Sequence, residues 1–183
     1  MEIKGTAVKS INDFVINNYN SGYIEWFNSL SAPAKNIVKN TLSNQWYPLQ
    51  EAVVEPTQKI ANLFYGGDIK KAAFECGQYS AQVALNGVYK LYVKFSSPEH
   101  VVDRGSRILP AYYNPSKIIQ IGREKQMVRY EMTECIGIDE VVEYRIAGWM
   151  QKALEISGCK TYSVIITESV KTNGRTVFEA RWT

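Results

Sequence analysis

The hydrophobic pattern of the chain changes near residue 115, and this change constrains the fold more than any other feature. Before it, apolar residues recur at helical spacing, as in the stripe from Ile69 to Val83 of a helix expected over Asp68–Phe95. After it, every second residue from Val128 to Met132 is apolar, which is the period of a half-buried strand. The sequence therefore predicts a mainly helical part over residues 1–115 and a strand-rich part over residues 116–183.

The strand-rich part has a regular order of elements. Two strand candidates, a helix and a third strand candidate are expected at Lys117–Ile121, Gln126–Met132, Asp139–Ser157 and Lys160–Glu168. Asp139 is expected to cap the helix, and its core face is expected to carry Val142, Ile146, Trp149, Met150 and Ala153. Asn173-Gly174 then predicts a two-residue hairpin turn, because both central residues of a type I′ turn need a positive φ. That turn would place Ile165 opposite Trp182. The order ββαββ predicts a four-stranded antiparallel sheet against which the helical part packs, in an α+β fold.

Length and composition favour one domain in a reducing compartment. The 183 residues contain no repeat or linker, so we expect a single domain over residues 1–183. The three cysteines, Cys76, Cys135 and Cys159, are far apart and odd in number, which argues against a disulfide framework. No apolar run is long enough for a signal peptide or for a membrane span of about 20 residues. We therefore expect a cytoplasmic protein.

Charge and motif content exclude several functions. The net charge of +3 comes from scattered lysines and arginines, whereas nucleic-acid binders concentrate them in a patch, so no nucleic-acid partner is expected. His100 is the only histidine, and zinc and non-haem iron sites usually need two or more. The sequence has no nucleophile elbow, dinucleotide fingerprint or P-loop. We assign no catalytic residue and no metal ligand, and we favour a non-catalytic protein over an enzyme.

Tyrosines and helix-interior glycines suggest a pocket. The chain has 12 tyrosines, which combine an apolar ring with a polar tip. Glycine inside a helix costs about 1 kcal/mol relative to alanine, so Gly148 needs a packing reason, supplied either by protein or by a ligand. Core packing is the alternative for each aromatic residue. The predicted pocket residues are Tyr79, Tyr89, Tyr112, Tyr113, Gly148 and Trp149.

Several short strings also occur in an order that resembles a known family. They are Ile3-Lys4-Gly5-Thr6-Ala7, Trp46-Tyr47-Pro48-Leu49, Gly67-Asp68, Lys94-Phe95-Ser96-Ser97-Pro98, Ile146-Ala147-Gly148-Trp149, Glu155-Ile156-Ser157-Gly158 and the pair Phe178 and Trp182. They resemble a bacterial family of unassigned function, best known from myxobacterial paralogues. That family looks related to the superfamily of haem–nitric-oxide-binding domains, 4-vinyl-reductase-like domains and transport-particle subunits. The resemblance implies helices over an antiparallel sheet, with an apolar ligand cavity or a dimerising scaffold.

The chain departs from two motifs of that superfamily. Haem-binding members carry a Tyr-x-Ser-x-Arg motif for the propionates, and the nearest string here, Tyr113–Lys117, does not match it. Vinyl-reductase-type members carry cysteines near the C-terminal hairpin, where this chain has Glu168-Ser169 and Val177-Phe178. We therefore expect no cofactor, with haem disfavoured and His100 a ligand only if haem is bound.

The sequence is compatible with three functions. The first is a non-catalytic sensory or ligand-binding domain for an apolar small molecule. The second is a protein-interaction scaffold that forms a homodimer. A haem-based gas sensor or an enzyme comes third. A pocket with converging polar groups would favour the first function, and a filled core with an apolar surface patch would favour the second.

Overall fold

The α+β class predicted from the sequence is confirmed by a computed structural model, which describes residues 1–86, 98–135 and 137–183. In chain order, its elements are β1 Glu2–Lys4, α1 Gly5–Asn18, α2 Tyr23–Ser29, α3 Ala32–Asn40, β2 Trp46–Pro48, α4 Glu55–Phe64, α5 Ile69–Asn86, α6 Pro98–Tyr112, β3 Tyr113–Asn114, β4 Lys117–Glu124, β5 Met127–Thr133, α7 Glu140–Ile156, β6 Tyr162–Glu168, α8 Val170–Asn173 and β7 Thr176–Trp182. Within these ranges, no helix is long and apolar enough to cross a membrane.

Two antiparallel sheets carry the strands. The predicted four-stranded sheet is present, in the order β4-β5-β7-β6. A second sheet, in the order β2-β1-β3, was not predicted; in it Ile3 pairs with Tyr47 on one side and with Tyr113 on the other. Its strands have only two or three residues, which is too short to produce a period-2 pattern. This small sheet ties the first residues of the chain to the start of the strand-rich part.

The predicted hairpin register is wrong. Ile165 faces Glu179 rather than Trp182, and Trp182 faces Tyr162. Asn173-Gly174 does not form a two-residue turn: Asn173 ends the one-turn helix α8, and Gly174 follows in the left-handed conformation with a φ of 71°. The amide of Gly174 donates to the Val170 carbonyl oxygen at 3.0 Å. The predicted left-handed conformation of Gly174 is therefore confirmed, but this residue ends a helical turn instead of forming part of a two-residue hairpin turn.

Helix α7 begins as predicted and packs on both parts of the fold. The Asp139 carboxylate accepts a hydrogen bond from the Val142 amide at 3.3 Å, so Asp139 is the N-cap. Val142, Ile146 and Ala153, which were predicted to lie on one face, are buried. One hydrophobic cluster includes residues of the helical part and of the four-stranded sheet, so α7 lies at the centre of a continuous core.

Two glycines bring α5 and α7 into backbone contact. A Cβ atom on Gly148 would lie 2.0 Å from the Phe74 carbonyl oxygen. In the same way, a Cβ atom on Gly77 would lie 2.0 Å from the Arg145 carbonyl oxygen. Only glycine permits so close an approach at these two positions. The predicted continuation of α5 to Phe95 lies outside the described residues.

Candidate ligand site

A cavity of about 60 Å³ lies where the helices meet the four-stranded sheet. Its wall is almost entirely apolar and comes from α1, α5, α6, β3, β4, β5 and α7. A second cavity of about 40 Å³ shares part of that wall, namely Ile108, Tyr130, Trp149 and Met150. Pockets for drug-sized ligands measure roughly 300–1,000 Å³. As it stands, the space therefore admits a small group, and a larger ligand requires the walls to move apart.

The structure brings three of the six predicted pocket residues to this cavity. Tyr112, Tyr113 and Trp149 line it. Tyr79 does not: its ring contacts Phe14 with centroids 5.5 Å apart, and its hydroxyl accepts a hydrogen bond from Asn17 at 2.7 Å. Gly148 contacts the backbone of α5 as described above. The remaining residue, Tyr89, lies outside the described residues.

Trp149 is half-buried, although its helical face predicted a core position. Its ring borders both cavities and lies 6.3 Å from the Tyr112 ring, centroid to centroid. Trp149→Ala is therefore expected to lower the free energy of unfolding by about 2 kcal/mol, below the 3–5 kcal/mol usual for a buried tryptophan. Chemical denaturation measures this loss. Phe178→Ala is the fully buried control, expected to cost about 4 kcal/mol, and equal losses would contradict the assignment.

Arg145 is the site residue that sequence reasoning missed. It lies on the buried face of α7, one helical turn after Val142 and one before Gly148, and only 2% of it is exposed. Its Nη2 atom donates to the Ala7 carbonyl oxygen at 3.0 Å and to Ser10 Oγ at 3.1 Å. Its Nη1 atom has no hydrogen-bond partner within the described residues. The available signal was a charged residue at a core-facing helical position.

The groups around Arg145 are neutral at physiological pH. Burial raises the pKa of the Tyr113 hydroxyl, and the charge of Arg145 and the close approach of its side chain to this hydroxyl only partly oppose this effect. Burial likewise raises the pKa of the Cys76 thiol to about 12, and that of the Tyr130 hydroxyl to about 12. The Tyr130 hydroxyl donates to the Val102 carbonyl oxygen. None of these three groups therefore supplies a negative charge that balances the guanidinium.

His100 occupies the first turn of α6 and is exposed. Val101, Ile108 and Tyr112 of the same helix line the two cavities, whereas His100 lines neither. Because successive helical residues are rotated by about 100°, His100 lies on a different side of α6 from this stripe. Within the parts of the chain that the structure describes, no cluster of three or more His, Cys, Asp or Glu side chains could hold a metal ion.

Comparison of the coordinates with solved structures identifies the fold as that of H-NOX proteins. The H-NOX protein from S. oneidensis in the Fe(II)NO ligation state gives a TM-score of 0.76 at 12% identity, covering 99% of each chain. The Fe(II) unliganded H-NOX protein from K. algicida gives 0.74 at 10% identity, covering 99% of this chain and 97% of the other. A mutant of T. Tengcongensis H-NOX gives 0.69 at 12% identity, with coverage of 99% and 98%.

Sequence comparison adds no family assignment to this likeness in fold. No protein-family model matches the chain, and no curated protein is significantly similar to it. The fold agrees with the haem–nitric-oxide-binding architecture that the short strings implied. Identities of 10–13% show the fold and leave the function to be argued from the site.

The expectation that haem is disfavoured is contradicted by these neighbours. Similar structures are described as Fe(II) forms, and two concern haem distortion or haem redox potential. The expectation was drawn from short motifs, chiefly the mismatched string Tyr113–Lys117, whereas the similarity in fold covers 99% of this chain. A local departure from one motif is therefore too narrow a basis for excluding the cofactor.

Proposed function

We propose that this protein is a haem-based sensory domain, which binds haem between its helices and its four-stranded sheet and responds to a small gas molecule. The observation that carries this proposal is the full-length similarity in fold to H-NOX proteins. The apolar cavity at the junction of helices and sheet supports it, because ligand pockets are typically apolar with a few placed polar groups.

The residues around the cavity fit haem in their chemistry. Haem combines an apolar ring with two carboxylates, and this wall combines apolar side chains with the buried Arg145 guanidinium, whose Nη1 is unpartnered within the described residues. Proteins hold haem iron through His, Tyr, Met or Cys. Tyr112, Tyr113, Tyr130 and Met150 line the cavity, and His100 lies on α6. Bound haem would supply the iron that binds a gas, while the apolar wall would exclude water.

His100 is the first iron ligand to test, because it is the only imidazole in the sequence. Expression with added haem is expected to yield about one haem per chain, measured by absorbance in the Soret region. His100→Ala should weaken haem binding by at least the roughly tenfold that loss of an outer-shell partner costs a metal site. Tyr112→Phe, Tyr113→Phe and Tyr130→Phe are matched variants that each remove only a hydroxyl.

The possible outcomes distinguish two questions: which residue binds the iron, and whether the protein binds haem at all. Loss of the Soret band in one tyrosine variant, with His100→Ala unchanged, would assign the iron to that phenol and leave the proposal standing. Absence of stoichiometric haem at saturating haem concentration would contradict it. Circular dichroism of each variant excludes simple unfolding as the cause.

A haem-free sensor of a small apolar molecule is the second candidate, favoured by the cavity volume of about 60 Å³. Native mass spectrometry of the purified protein distinguishes the two, because the mass of the bound molecule differs. The same spectrum tests the third candidate, a dimeric scaffold, since it reports the oligomeric state. A ligand-free dimer would favour the scaffold.

A further inference from the structure

Arg145 is a buried charge without a counter-charge among the described residues. A guanidinium stays protonated at any physiological pH, and burying it costs free energy unless it is paired. None of the ion pairs in the described ranges includes Arg145. Glu143, the carboxylate closest to it in sequence, accepts its hydrogen bonds from Ser169 Oγ and the Val170 amide instead. The protein therefore keeps a positive charge at the cavity and does not neutralise it from these parts of the chain.

The guanidinium is also held in place. Its Nη2 atom is anchored by the Ala7 carbonyl oxygen and Ser10 Oγ, and Ser10 Oγ itself donates to the same carbonyl at 2.7 Å. These contacts leave Nη1 without a hydrogen-bond partner among the described residues, and Arg145 is one of the residues that line the cavity. A positioned arginine fork suits a planar carboxylate, which can accept two parallel hydrogen bonds from it.

The surroundings favour an anionic group on an apolar body. Tyr113, which lines the cavity, can share a hydrogen bond with a ligand, but its neutral hydroxyl cannot balance a charge, and neither can the neutral thiol of the buried Cys76. Most of the remaining wall is apolar, with Ile118, Ile146 and Met150 among its members, and Ser80 adds one further hydroxyl. A low local dielectric strengthens the attraction between Arg145 and an anion that enters this space.

We infer that the cavity binds a ligand that carries a carboxylate on an apolar body, and that Arg145 pairs with this carboxylate. The inference rests on the proposed function only in requiring that the cavity holds a ligand. A propionate of haem and the head group of a fatty acid offer the same chemistry, and the experiment separates these two sources.

The experiment compares acids with their esters on the wild-type protein. Haem and haem dimethyl ester form one pair, and a fluorescent long-chain fatty acid and its methyl ester form the other. In the pair whose apolar body is accepted, the acid is expected to bind roughly 10- to 100-fold more tightly, as for a hydrogen bond to a charged group. Arg145→Met should reduce the affinity of the acid to that of the ester. Arg145→Lys, which keeps the charge, should retain part of the preference.

Every outcome of this experiment either supports the inference or contradicts it. An acid preference in the haem pair supports the inference and identifies the porphyrin as the source. A preference in the fatty-acid pair, with no binding of haem or its ester, supports the inference while the haem proposal fails. Equal affinity of acid and ester in both pairs overturns the inference, and the haem proposal still stands if haem binds. Failure of all four probes to bind overturns both. The wild-type comparison remains decisive if Arg145→Met does not fold.

Discussion

Replacing Gly148 by alanine is expected to lower the free energy of unfolding by about 3 kcal/mol. Helix propensity alone predicts the opposite sign, since alanine is favoured over glycine by about 1 kcal/mol. Packing outweighs this gain, because the new Cβ would lie 2.0 Å from the Phe74 carbonyl oxygen and 2.8 Å from its carbon. Backbone atoms cannot rotate away as a side chain can, so α5 and α7 would have to separate.

Chemical denaturation with a two-state fit measures this effect. Gly122→Ala is the control: its Cβ would contact Arg129 Cβ at an ordinary 3.7 Å, and a change within about 1 kcal/mol is expected. Gly77→Ala should resemble Gly148→Ala, because both glycines lie in the same interface. The double variant should lose less than the sum of the two, since one separation of the helices relieves both clashes. A neutral or stabilising Gly148→Ala would contradict the close contact.

Glu143→Ala is expected to lower the free energy of unfolding by about 3–4 kcal/mol. Glu143 is 0% exposed, and its carboxylate accepts hydrogen bonds from Ser169 Oγ at 2.6 Å and the Val170 amide at 2.7 Å. Thr176 Oγ1 also donates to it. Truncation leaves three donors without their acceptor and opens a cavity in the core. The turn at α8 and the start of β7 lose the group that holds them together.

Glu168→Ala provides a matched control for this prediction. Glu168 forms a surface ion pair with Arg175 at 2.6 Å, and because solvent screens such a pair, its loss is expected to cost much less than the loss of Glu143. Denaturation of both variants gives the two free energies, and hydrogen exchange of the Val170 amide reports the local effect. Equal losses in the two variants, or an unchanged exchange rate at Val170, would show that the Glu143 network does not hold the turn.

Local periodicity accounts for what the sequence predicted correctly in the fold. The alternation around Val128 and the cap at Asp139 are properties of a few neighbouring residues, so the ββαββ order and the start of α7 could be predicted. The pairing register of β6 and β7 after Glu168 could not be predicted from neighbouring residues. Hydrogen bonds from Ser169 and Val170 to Glu143, 26 and 27 residues away, hold the helical turn in place of a tight hairpin.

Part of the wall of the candidate cavity follows from local sequence as well, while its role as a ligand site stays a prediction. Tyr112, Tyr113 and Trp149 were identified because aromatic side chains with polar tips suit a cavity wall. Gly148 correctly indicated a close approach to the helix backbone, but only the fold shows that the approaching group is α5. Arg145 was overlooked because an isolated arginine on a helix usually reaches solvent. Its burial depends on Ala7 and Ser10, 138 and 135 residues earlier in the chain.

The backbone contact between α5 and α7 also determines how movement spreads through the molecule. At Gly77 and Gly148 there are no side chains that could change rotamer and absorb a shift. If an occupant of the cavity displaced α7, α5 would therefore be expected to move with it by a similar distance. Helix α5 in turn packs against α1 and α4. Helices α1 and α4 are therefore the next elements that a displacement of α5 would affect.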